Sequence, residues 1–280
     1  MCNQEKNAKV ISFINMKGGV GKTTLTINIA HTLVEHFNKT VLLIDMDPQF
    51  NATQALMTKF KSINEYHELR KEKRTIAHLL LNYNSMVGNE KISIGDNIIV
   101  RLNEKSNEAY LDFIAGDLNL TNLEASSRGT EKLLATTIEN LGLLKKYDYI
   151  LIDTPATYSV YSQTSLLASE YYLVPISPDV FASLGYELLE NKLQEDLALK
   201  DHPLKKLGII FTLTSKNKAK RNNIQESFSD KDTFLSSLKE YENIRAGNIN
   251  NFIYDMTSSK QNMIELTQEF IDKLEGENND

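Results

Sequence analysis

The residues Lys17-Gly18-Gly19-Val20-Gly21-Lys22-Thr23-Thr24 have the composition of a loop that cradles a polyphosphate. Glycines let backbone N–H groups wrap phosphate oxygens, and a helix starting at Thr23 would add the partial positive charge of its N-terminus. Lys22 is suited to reach β- and γ-phosphate oxygens, and the Thr23 hydroxyl to ligate Mg²⁺. The common spacing G-x-x-x-x-G-K-S/T is not met, because Met16 stands where its first glycine would be. The loop opens instead on a second lysine, Lys17.

Carboxylates at two other places could complete such a site. Ile150-Leu151-Ile152-Asp153-Thr154-Pro155 is an apolar run ending in an acid, the form of a Walker B segment. Mg²⁺ prefers oxygen ligands and keeps several waters, so Asp153 is expected to hold a metal-bound water rather than the bare ion. Leu43-Ile44-Asp45-Met46-Asp47-Pro48-Gln49 carries two acids two residues apart, where a strand runs out into a turn.

The pattern around these residues alternates strand and helix, which predicts an α/β fold: a mostly parallel central sheet flanked by helices. Strands are expected at Lys9–Asn15, Lys39–Asp45, Ile98–Leu102, Tyr110–Ala115, Tyr147–Asp153, Tyr171–Ile176 and Leu207–Thr212. Asn103–Glu108 reads as a polar hairpin loop. Helices are expected at Lys22–Phe37, Glu131–Lys146, Phe181–Leu199 and Ser259–Leu274, with irregular helix over 51–81. In an open sheet of this kind ligand chemistry sits at the carboxyl ends of the strands, where the loop, Asp45 and Asp153 all fall. One domain over 1–280 is expected, with frayed ends at 1–8 and 275–280.

Composition narrows the classes. With 280 residues, 41% hydrophobic and 24% charged, the chain can bury a substantial core. Cys2 is the only cysteine, so neither an internal disulfide nor an iron–sulfur or zinc thiolate cluster can form. The start has no apolar leader and no run spans a bilayer, so a cytoplasmic protein is expected. A net charge of −6 opposes DNA and anionic lipid, so any nucleic-acid contact must be a local basic patch.

The loop resembles the deviant Walker A of the ParA/MinD group, and the likeness to ParA-type partition ATPases extends over nearly the whole chain. It continues through Asp45-Met46-Asp47-Pro48-Gln49 and Asn51-Ala52-Thr53, Phe113-Ile114-Ala115-Gly116-Asp117, Tyr147–Pro155, and Val174-Pro175-Ile176-Ser177-Pro178 with Phe181-Ala182 and Gly185. The resemblance implies an ATPase using ATP and Mg²⁺. Lys17 would cross a dimer interface to the partner's nucleotide, while Lys22 acts in cis. Asp47 would orient the attacking water, and Asp45 would sit near the metal shell. The P-loop starts so early that the resemblance is to the short subtype, without an N-terminal helix-turn-helix. Phe50 and Ala156 depart from the family's glycine after D-P-Q and its proline or glycine after D-T-P, and both bear on hydrolysis rate.

What the resemblance further implies is a homodimer formed with ATP, nonspecific binding to nucleoid DNA, and hydrolysis stimulated by a centromere-binding adaptor similar to ParB. The DNA surface is expected at Lys216, Lys218, Lys220 and Arg221, with Arg245 as a weaker candidate. A MinD-like membrane-associated positioning ATPase is the alternative, and a nucleotide-gated regulator with little turnover is another. The apolar stripe of the last helix is flanked by Glu265, Glu269, Asp272 and Glu275, so core packing explains it better than a lipid surface does.

Overall fold

The computed structural model describes residues 7–82, 96–125, 129–214, 224, 226–241 and 252–276. Seven strands form one sheet: β1 (Lys9–Phe13), β2 (Thr40–Asp45), β3 (Val100–Ser106), β4 (Ala109–Ile114), β5 (Tyr149–Asp153), β6 (Tyr171–Ile176) and β7 (Lys205–Phe211). Their spatial order is β3-β4-β2-β5-β1-β6-β7. Every pairing is parallel except β3 with β4, which is antiparallel. The expected α/β architecture is borne out.

The central strands are apolar on both faces, as parallel strands covered by helices must be. Alternate residues feed two cores. Ile11, Leu43 and Leu151 face α1 (Lys22–Glu35), α2 (Asn51–Phe60) and α9 (Lys260–Gly276) through Leu25, Ile29, Leu56 and Phe270. Val10, Leu42 and Ile150 face the opposite layer, which includes α4 (Ile76–Asn82) and α5 (Leu133–Asn140), through Leu80, Leu134 and Ile138. A third cluster joins β6 and β7 to α7 (Val160–Leu167) and α8 (Ala182–Glu195) through Val174, Ile209, Leu166 and Leu189.

Several boundaries differ from the sequence reading for identifiable reasons. The expected hairpin loop over 103–108 is mostly strand, because β3 is an edge strand and can leave polar side chains in water. The single helix expected over 131–146 breaks into a 3₁₀ turn, α5 and α6 (Leu143–Lys146), with Gly142 between the last two at φ 63°. Left-handed backbone ends a helix, and glycine adopts it without strain. Residues 51–81 divide into α2, α3 (Ile63–Lys71) and α4, and Ser62 caps α3 by accepting the Glu65 N–H at 3.2 Å.

The apolar stripe of α9 is packed inside: Met263, Phe270, Ile271 and Leu274 are all buried. Among the described residues no helix is long and apolar enough to cross a membrane.

A polar staple holds the segment before α9 against the helices that carry the site. Ile253 N–H donates to Asn28 Oδ1 of α1 at 2.7 Å. Asp255 meets His31 Nε2 of α1 at 2.9 Å and accepts from Lys59 Nζ of α2 at 2.6 Å. These bonds, that to His31 first, hold the Asp255 carboxyl down at about 2 against the opposing effect of burial.

Because the native value lies below the ordinary 3.8, the staple's stabilisation is complete above that range and is lost as pH falls towards 2. Asp255→Asn should therefore lower stability at pH 7 by about 1 kcal/mol or less, since the carboxylate is partly exposed. The melting-temperature gap to wild type should close as pH is lowered through this window, measured by circular dichroism. A gap that widens on acidification would contradict it.

Candidate nucleotide site

The phosphate-loop residues lie between β1 and α1, and the chain is held there at both ends. Asn15 donates to the Pro175 carbonyl at 2.7 Å and accepts the Lys17 N–H at 2.8 Å. The Thr212 hydroxyl donates to the Val20 carbonyl. Gly19 and Gly21 sit at φ 73° and 80°, where a side chain would be strained, and Gly21 serves as N-cap of α1 without any side-chain cap. The first N–H groups of α1 are left without a capping side chain, which suits an anion. A cleft of about 750 Å³ opens over the loop, walled by Asp47–Gln49, Gln54 and Pro155–Thr157.

Sheet register brings the acids to this loop. Asp45 and Asp153 are direct neighbours on adjacent strands, and Phe13 pairs with Asp153 on the other side. Both carboxylates are fully buried. Burial pushes the Asp153 carboxyl well above its ordinary value, and the neighbouring Asp45 pushes it further; the Thr23 hydroxyl and Lys22 pull the other way. Thr23 Oγ1 donates to Asp153 Oδ2 at 2.7 Å, and Thr26 Oγ1 lies 3.4 Å from Oδ1.

Lys22 is itself buried, at 7% exposure, and burial lowers its pKa while Asp153 and Asp47 raise it. Lys22, Asp153 and the turn acid Asp47 thus form one electrostatic group, in which Lys22 and Asp47 line the cleft and Asp153 lies buried behind Thr23. Gly18 to Thr24 line that cleft.

Asp45, which the resemblance would set near the metal shell, has both oxygens engaged by its own turn and by Thr53. Its Oδ2 accepts the Thr53 N–H at 2.8 Å and the Thr53 hydroxyl at 2.7 Å, and its Oδ1 accepts the Asp47 N–H at 3.1 Å. Burial raises its pKa to about 7 against those bonds. The carboxyl ties the Asp45–Asp47 turn to the first turn of α2. Asp47 Oδ1 accepts the Gln49 N–H at 2.9 Å.

Lys17 lies at the loop entrance and forms an ion pair with Asp179, in the segment between β6 and α8. The sequence reading gives no site role to Asp179, Asn15 or Thr26, and it quotes Thr53 only as part of a matching stretch. Nothing in local spacing marks them; each is paired with a residue far away in the chain or acts by a single hydroxyl. Lys216, Lys218, Lys220, Arg221 and Arg245 lie outside the described residues.

A family model described as an AAA domain matches residues 8–205. A virulence-plasmid ParA family protein of Chlamydia psittaci is 29% identical over 227 residues, 79% of this chain and 74% of that protein. The chromosome partitioning protein ParA of Myxococcus xanthus is 30% identical over 208 residues, 73% of this chain and 65% of that one. A plasmid partition protein of Borrelia burgdorferi B31, solved bound to AMPPNP, superposes with TM-score 0.72 at 29% identity, covering 96% of this chain and 100% of its own. This chain belongs to the AAA-domain family matched over most of its length and, within it, to the ParA-type partition ATPases.

Proposed function

We propose that the cleft binds ATP with Mg²⁺ and hydrolyses it, and that this turnover drives DNA partition. The observation that carries the reading is the group of buried Lys22, Asp153 and Asp47, with half-buried Thr23 bonded to Asp153, beneath an uncapped helix N-terminus. A similar chain holds the ATP analogue AMPPNP, which supports the choice of nucleotide.

The residues fit a divalent cation. Asp153 is a dry carboxylate whose charge Lys22 offsets only in part, and its hydrogen-bond partner Thr23 carries a hydroxyl oxygen that can ligate a metal. Thr23 would hold Mg²⁺ directly and Asp153 through a water, as a small, tightly hydrated ion favours. When bound, the ion draws negative charge from the β- and γ-phosphate oxygens. Lys22 Nζ and the backbone N–H groups of Gly18–Thr24 bind and orient the phosphates in cis. Asp47 Oδ2, which accepts no hydrogen bond from another described residue, orients the attacking water and takes up its proton.

Lys17 would exchange Asp179 for the phosphates of a second copy, so that ATP bridges two subunits face to face. The dimer would bind DNA nonspecifically through Lys216, Lys218, Lys220 and Arg221, with Arg245 as a weaker candidate, and thereby associate with the nucleoid. A ParB-like adaptor would accelerate hydrolysis and release it.

Lys22→Ala should weaken ATP binding by roughly 100-fold or more, since a charged hydrogen-bond donor to the phosphates is lost. Lys17→Ala should retain binding but lose ATP-dependent dimers, with calorimetry reading the first and light scattering the second. Tight binding by the Lys22 variant, or dimers of the Lys17 variant, would contradict the two roles.

Asp47→Ala should lower turnover by about 100-fold while ATP-bound dimers accumulate; undiminished phosphate release would remove Asp47 from the mechanism. Replacing Lys216, Lys218 and Lys220 with Glu should weaken DNA binding and flatten its salt dependence. An unchanged slope in fluorescence titrations would move the DNA surface elsewhere.

A further inference from the structure

We infer that Phe50 is a positioning residue for hydrolysis, clamping the turn that carries Asp47 from behind the cleft; this rests on the ATPase reading above. Phe50 sits between that turn and α2 at φ 44° and ψ 40°. Left-handed backbone costs a residue with a Cβ about 1–2 kcal/mol and persists only where the surroundings enforce it. Neither its ring nor its backbone belongs to the cleft wall, although its neighbours Gln49 and Asn51 do.

The enforcing contacts form a closed circuit. The Phe50 ring stacks on Tyr66 of α3, with centroids 5.8 Å apart and planes at 28°. Tyr66 is buried, and its hydroxyl donates to the Gly116 carbonyl at 3.0 Å. Gly116 lies flush against the turn: a Cβ there would stand 2.9 Å from Asp45 Cγ and 3.1 Å from Phe50 Cβ. Its N–H donates to Thr53 Oγ1 at 2.8 Å, and that hydroxyl donates to Asp45 Oδ2. Asp45 Oδ1 then accepts the Asp47 N–H, and the Asp47 carbonyl accepts the Phe50 N–H at 2.8 Å.

None of the hydrogen bonds in the circuit uses the Phe50 side chain, so a small residue at position 50 would leave them in place. The stack, with the packing of the ring against the core beside it, is what depends on Phe50 being aromatic. It fastens the turn to α3, and so fixes where the Asp47 carboxylate stands relative to Lys22. Catalytic geometry is sensitive at this scale, since displacement by about 1 Å can cost on the order of 100-fold in rate.

The test compares wild type with Phe50→Gly, which accepts the left-handed backbone but loses the ring, and Phe50→Tyr, which keeps the ring. Two measurements are made on the full chain: steady-state Mg²⁺-dependent ATP hydrolysis, and hydrogen–deuterium exchange of the Asp47, Gln49 and Phe50 amides. Phe50→Gly should lower kcat by about tenfold with KM and affinity for a non-hydrolysable ATP analogue changed less than about twofold. Exchange at the three amides should accelerate by about tenfold while the Gly18–Thr24 amides keep their rates. Phe50→Tyr should restore both.

Unchanged exchange in Phe50→Gly, an unchanged kcat despite faster exchange, or equal losses in kcat and analogue affinity would each overturn the inference. Should wild type itself hydrolyse no ATP, the ATPase reading fails, while the exchange measurement still decides whether the clamp exists.

Discussion

The structure is organised around a carboxylate that water cannot reach. Asp153 ends β5 fully buried, with a second buried acid, Asp45, beside it in register. Moving a carboxylate out of water costs several kcal/mol even after the surroundings relax. The Thr23 hydroxyl and the partly offsetting charge of Lys22 are what the fold supplies in return. That arrangement requires β2, β5 and β1 to run parallel in one register and requires α1 to begin directly above their ends. It also leaves the floor of the cleft short of positive charge, which a cation bound with a polyphosphate would provide.

The two acids at the strand ends have divided their tasks. Asp153 keeps contact with the P-loop through Thr23, whereas Asp45 spends both oxygens on the turn and on the first residues of α2. Asp45 thereby couples the position of Asp47 to that of α2. The far end of α2 is in turn tied to α1 through Lys59, Asp255 and His31. The cleft is thus bounded by two helices whose relative position is set by polar contacts at both ends. Such contacts are directional, and they couple movement of the turn to movement of the helix behind it.

Much of this could be read from the chain because it is encoded locally. Strand β5 is an unbroken apolar run with its acid at the end, and the glycines and lysines of the P-loop are contiguous. The parallel sheet followed from strands alternating with helices. What could not be read depends on contacts between distant residues. The fate of Asp45 is decided by Thr53, eight positions away and on another element. The Lys17–Asp179 pair spans most of the sheet in sequence, and neither residue announces the other. Phe50 in left-handed backbone runs against its own propensity, and contacts remote in sequence, the Tyr66 ring and the Gly116 approach, help to hold it there. The break at Gly142 was locally encoded, yet the apolar periodicity of its neighbours masked it.

A negative charge on buried Asp153 is only partly offset by Lys22 and Thr23, and a bound cation would complete the compensation. Thermal unfolding of wild type and Asp153→Asn, each alone, with AMPPNP and EDTA, and with AMPPNP and Mg²⁺, tests it most directly. The ligand-free variant should be no less stable than wild type, and the extra stabilisation that Mg²⁺ gives wild type should vanish from the variant. A variant that melts several degrees lower when ligand-free, or that keeps the full Mg²⁺ increment, would contradict it.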